Sequence, residues 1–235
     1  MRTMSIIVMI LVGALSPIVS AGNEDSQAMK AFSAAMSDVS QREKRAAGIQ
    51  YAYTQTLHDA NGSRVVRRFD SSDANADWTL IEQRGDDLTD LQIDWSVPIQ
   101  FRLSTFEMLE ARFCDHTKSH WIYCARAPIS VDMEDDQQAK EANRLAEESL
   151  ETQIWLHKEQ QRVTRMTIFN REPMHPSPLA RIDRFEISLE FAPAWPKGPL
   201  VTVRATRQLK GKYGFFISLD EHLVQTITDI AALNN

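Results

Sequence analysis

Two cysteines and two histidines fall within one short run, Cys114-Asp115-His116-Thr117-Lys118-Ser119-His120-Trp121-Ile122-Tyr123-Cys124. Four such ligands can hold zinc tetrahedrally, but usual zinc arrangements separate two close pairs by a longer loop. Oxidation competes with metal binding. A strand over 121–125 returning from a turn near Ser119 would bring the thiols opposite one another, and the closed loop would add about 2–4 kcal/mol. A Cys114–Cys124 disulfide is therefore expected, and no metal is assigned.

His58-Asp59 has the residue types of half an acid–base pair. No Gly-x-Ser-x-Gly elbow, His-Glu-x-x-His pair, phosphate loop or dinucleotide glycine pattern accompanies it. A polar residue at the mouth of a hairpin needs no catalytic purpose, so the chain is read as non-enzymatic, with no catalytic residue and no cofactor. Asp132-Met133-Glu134-Asp135-Asp136 invites a calcium reading, yet it lacks the glycine and the distant bidentate glutamate of a calcium loop. Acidic residues just before a helix are expected from its dipole alone.

The elements that would position these groups are mostly strands. Phe185, Ile187, Leu189 and Phe191 alternate with polar residues, as do Val201, Val203 and Ala205, and then Tyr213, Phe215, Ile217 and Leu219. Period two sends one set of side chains to an apolar space and the other to water. Pro193 and 196–199 separate the first two runs, and Gly211 the second from the third, which reads as hairpin turns. Earlier, Ile49, Tyr51, Tyr53 and Leu57 share a face. Asp59-Ala60-Asn61-Gly62 then turns the chain into a return strand with Val65, Val66 and Phe69. Trp78, Leu80 and Ile81 form a short third strand. Residues 150–157 and 162–169 make a further hairpin, and three prolines in 171–179 exclude a central strand and predict an extended loop.

Helical spacing marks 24–47, where Met29, Phe32, Met36 and Val39 recur at three and four residues and Gly48 can cap the end. Ser104-Thr105-Phe106-Glu107 resembles a capping box for a short helix, and 137–149 reads as a largely solvated one. The Met29/Phe32/Met36 stripe must lie on something apolar, and the sheet is the available partner.

Composition fixes the class. With 43% hydrophobic and 25% charged residues the chain is an ordinary globular one, able to bury a core. Met1-Arg2, the apolar run 5–15 and Val19-Ser20-Ala21 predict a signal peptide over 1–21, leaving a single domain over 22–235; an uncleaved anchor is the alternative. Loss of Arg2 takes the net charge from −6 to −7, and no basic stripe compensates, which argues against nucleic acid.

The leader, the helix ending at Gly48, the hairpin over 49–69 and Trp78-Thr79-Leu80-Ile81 followed by Gly85 together resemble the periplasmic lipoprotein-carrier (LolA/LolB-like) family. The resemblance continues through Gly198-Pro199 to Leu219-Asp220-Glu221, including Lys210-Gly211-Lys212-Tyr213-Gly214-Phe215-Phe216. It covers most of the mature chain as element order and leaves out 86–149. It implies an α+β fold: a curled antiparallel sheet, an unclosed β-barrel, with the N-terminal amphipathic helix and one or two further helices over its concave face. It also implies a periplasmic protein that binds or carries an apolar ligand such as a lipid or acylated peptide, with peripheral membrane contact at most. Residues expected on the apolar face are Tyr51, Tyr53, Trp78, Leu80, Ile154, Phe185, Ile187, Phe215 and Ile217, with Met29, Phe32 and Met36 as the lid. Alternation alone equally describes a filled core. The other reading is therefore a structural or interaction module of the cell envelope whose partner is a protein.

Overall fold

The computed structural model describes residues 21–72, 78–86, 88, 110–126, 140, 144–145, 147–214 and 217–233. They form a helix, α1 (Ala21–Ala46), followed by β1 (Gln50–Asp59), β2 (Arg64–Asp70), β3 (Trp78–Arg84), β4 (Arg112–His116), β5 (His120–Arg126), β6 (Leu150–His157), β7 (Arg162–Asn170), β8 (Met174–Ser177), β9 (Ala180–Pro193), β10 (Leu200–Tyr213) and β11 (Ile217–Leu233). The strands make one eleven-stranded sheet in the order β3-β2-β1-β11-β10-β9-β7-β6-β5-β4, with β8 against β9. Every pairing is antiparallel. β3 and β4 end the sheet without pairing to each other, so the curled barrel stays open, as expected of an α+β fold of this kind.

Local chemistry explains the elements. α1 carries Glu24 in its first turn and Lys44 and Arg45 in its last, matching its dipole. It stops where Gly48 takes φ +80°, a conformation that glycine reaches without a Cβ penalty. The β1–β2 turn is built by the Asp59 carboxylate, which accepts from the backbone N–H of Asn61 at 3.0 Å and of Ser63 at 2.8 Å.

Two expectations change. Gly211 does not end a strand: β10 continues through it to Tyr213, and a Cβ there would collide with the carbonyl oxygen of Arg181 on β9. Close backbone approach is what selects glycine at that site. The proline-rich stretch 171–179 is not wholly a loop, because Met174–Ser177 pairs with the start of β9 as a short peripheral strand, where prolines are tolerated. The expected helix near 104–109 and the acidic run 132–136 lie outside the described residues. Within 137–149, residues 140, 144–145 and 147–149 are helical, and their side chains are exposed or half-buried.

Register aligns one continuous row of inward side chains. Val65, Leu57, Gln225, Ala205, Leu189, Met166, Ile154, Tyr123 and Phe113 are successive cross-strand partners from β2 to β4. Directly opposed residues project to the same side. With α1 these residues, apart from Gln225, belong to or pack against the main core, in which Leu57, Val65, Tyr123, Ile154 and Leu156 are fully buried. A smaller cluster of Tyr53, Phe69, Val201 and Ile227 lies at one end, flanked by Tyr51 and Trp78.

Candidate functional site

The apolar row and its cover make the candidate site. α1 presents Ala28, Phe32, Ala35 and Val39 to the core, with Met36 half-buried beside them and Met29 turned outward at 36% exposure. The buried stripe is thus one position away from the methionines, because the closest helix–sheet approach selects alanine. Phe32 is the one large anchor in it. Its ring lies 4.5 Å from that of Tyr123, whose hydroxyl donates to the Ala28 carbonyl at 2.7 Å. Glu24 meets His116 Nδ1 at 3.3 Å, and Arg42 Nη1 donates to the Gly198 carbonyl at 3.1 Å. The helix is therefore clasped at both ends, on β4 and on the β9–β10 turn.

Tyr53, Ile154 and Ile187 are buried on the inward face, and Tyr51, Trp78 and Phe185 are half-buried against the two clusters. Leu80 and Ile217 do not share that covered face, being 56% and 57% exposed. Leu80 pairs with Arg67 on the outermost strand, just before the bulge at Ile81, where no further strand covers it, and Ile217 lies at the start of β11, before β1 begins to cover it. Phe215 lies outside the described residues.

A polar island interrupts the apolar face. Arg67, only 7% exposed, donates from Nε to Gln55 Oε1 at 2.6 Å and holds its guanidinium 3.8 Å from the centroid of the Trp78 ring. Gln225 Oε1 and the Tyr53 hydroxyl are buried without a hydrogen-bond partner among the described residues. Burial raises the Tyr53 hydroxyl pKa well above its ordinary range, with Tyr51 adding to the shift and Arg67 opposing it. This island was not legible from alternation, since Gln55, Arg67 and Gln225 occupy inward positions but carry polar side chains.

Cys114 and Cys124 form the disulfide that joins β4 to β5. Among the described residues no three of His, Cys, Asp and Glu converge as a metal site. His58 stands between Arg64 and Val224 in the ladders, and burial, then Arg204, His222 and Arg64, lower its pKa. Beside the disulfide opens a groove of about 340 Å³ whose lining includes Glu110, Arg112, Arg126 and Glu151. The ion pair of Arg171 and Glu151 borders an adjoining groove of about 420 Å³. Both are charged surface features rather than apolar cavities. No helix among the described residues is long and apolar enough to cross a membrane.

No protein-family model and no curated protein matches the sequence. Among solved structures, the chain is similar to a LolA superfamily protein from Nitrosomonas europaea, with a TM-score of 0.38 and 7% identity over 86% of this chain and 94% of that one. It is also similar to MucB in complex with MucA(peri), with a TM-score of 0.21 and 8% identity over 90% of this chain and 100% of that one. A third similarity is to the Pseudomonas aeruginosa MucA/MucB complex, with a TM-score of 0.24 and 7% identity over 89% and 100% of the two chains. Superpositions this loose transfer neither a ligand nor a site residue.

Proposed function

We propose that this chain is a non-catalytic, exported binding protein that takes up an apolar ligand, a lipid or an acylated peptide, where α1 now lies. The observation that carries the reading is the match between a continuous inward row, polar only at Gln225, and a helical cover whose one large buried side chain is Phe32. The helix buries Ala28, Ala35, Val39 and Phe32 on that core, worth about 5–8 kcal/mol together. An acyl chain of about fifteen methylenes, at about 0.8 kcal/mol each, would contribute about 12 kcal/mol on the same surface. Even after the cost of association, exchange of helix for ligand is within reach. The ligand would replace the cover rather than enter an existing void, since the row is packed by its own side chains. On this reading residues 1–21 are a removed signal peptide, 22–235 are one periplasmic domain, and Met29, Phe32 and Met36 move with the lid.

The packed row also favours a second reading, an envelope interaction module in which α1 is a permanent part of the core and the partner is a protein. Mass spectrometry of an organic extract from the natively purified protein separates the two. Carriage predicts a stoichiometric lipid and saturable uptake of an apolar dye; an extract without lipid together with no dye uptake would leave the module.

A further inference from the structure

Strands β9, β10 and β11 run past their neighbours at one end. β11 has no β1 partner before Leu223, which pairs with Asp59, so 217–222 continue along β10 without β1. Six residues at about 3.3 Å each carry this ladder roughly 20 Å further. β9 meets β7 only over 186–190, and its start meets the short β8.

At the end of this tongue three large apolar side chains stand in water: Leu179, Tyr213 and Ile217, at 56%, 50% and 57% exposure. They are neighbours, because Tyr213 is the ladder partner of both Ile217 and Ala180, and the Gly214 N–H donates to the Leu179 carbonyl at 2.7 Å. An exposed apolar cluster of this kind marks a surface that something covers.

The charge beside it indicates what. Lys210 stands opposite Arg184, and Lys212 opposite Arg181. Like charges in directly opposed positions weaken a ladder. Asp183, Glu186 and Asp220 relieve Arg181, Arg184 and Lys210, and Lys212 projects into solvent. Four bases against three acids leave the tip one net positive charge, at Lys212, on a chain whose overall charge is −6. An exposed lysine beside a Tyr- and Ile-bearing tip fits an anionic lipid surface, whose interface takes amphipathic rings and whose phosphates attract a nearby base.

We propose that the β9–β10–β11 tip is a peripheral membrane anchor, seating Leu179, Tyr213 and Ile217 in the interface of an anionic bilayer with Lys212 against its phosphates. The test is co-sedimentation of the whole protein with vesicles of phosphatidylcholine alone and of phosphatidylcholine with phosphatidylglycerol, at low and high salt. The protein should pellet with the anionic vesicles, less so at high salt. The Tyr213→Ser/Ile217→Ser variant should lose at least roughly tenfold in partition. Lys212→Glu should weaken anionic binding alone, and an unchanged unfolding midpoint would show that these exposed substitutions leave the fold intact. Phe32→Ala, which acts on the helical cover, should leave vesicle partition unchanged, so this proposal and the interior-ligand reading stand or fall separately. Wild-type protein remaining in the supernatant, or the double variant pelleting equally, overturns the anchor. So does a dimer that the double variant abolishes without any vesicle binding, which would assign the tip to self-contact.

Discussion

The Tyr123 hydroxyl on β5 donates a 2.7 Å hydrogen bond to the backbone carbonyl of Ala28 on α1, 95 residues earlier in the chain. The bond is buried and sits beside the Phe32–Tyr123 ring contact, so one tyrosine both supports and tethers the cover. Tyr123→Phe keeps the ring and removes the tether. It should lower stability by about 1 kcal/mol in denaturant titration. Phe32→Ala removes the anchor, should lower stability by about 3 kcal/mol, and should raise the uptake of an apolar dye. Unchanged dye uptake in Phe32→Ala would separate the anchor from access to the sheet.

Gln225 lies in the apolar row between Leu57 and Ala205, 5% exposed, with its Oε1 unpartnered among the described residues. A buried acceptor without a donor is unfavourable, so Gln225→Leu should stabilise by about 1 kcal/mol. A loss of stability would mean that this amide serves a contact made only in a bound state.

The Cys114–Cys124 disulfide closes a loop with a sequence separation of 10 at the edge of the sheet. Loop-closure entropy at that length corresponds to about 2–3 kcal/mol. Thermal unfolding with and without reductant should differ by that amount, and an unchanged midpoint would place the edge hairpin outside the cooperative unit.

His120 and His157 are direct ladder partners with ring centroids 4.9 Å apart. Burial, then His157, Arg165 and Lys158, lower the His120 pKa below its ordinary 6.5. Burial lowers that of His58 in the same direction. As pH falls below about 6.5 the unfolded chain therefore takes up protons that the folded chain refuses. Stability should fall with pH in that window and, from these groups, be flat above it. His120→Gln should reduce the slope in chemical denaturation between about pH 5 and 6.5, and an unaltered slope would remove His120 from the account.

Period two in 185–209, Asp59-Ala60-Asn61-Gly62 and the spacing of the cysteines made the hairpins, the sheet and the disulfide legible, because each depends on local backbone chemistry. What escaped depends on the neighbours. Gly211 reads as a turn residue until β9 places its Arg181 carbonyl against it. The second half of β11, from Glu221 to Leu233, lacks clean alternation because Gln225 sits inward and Asp229, at φ +54°, shifts the register against β1. Ala28 and Ala35 line the helix–sheet contact, with Met29 turned outward and Met36 only half-buried beside them, since hydrophobicity selects the larger side chain and close approach selects the smaller.

Hydrogen exchange along α1 tests the central claim most directly. Amides of 28–46 should be protected in the protein alone and should exchange faster when palmitate is added, while those of β6, β7 and β9 stay protected. Protection of α1 that equals that of the central strands and does not respond to palmitate would contradict a displaceable cover and leave the helix a fixed part of the core.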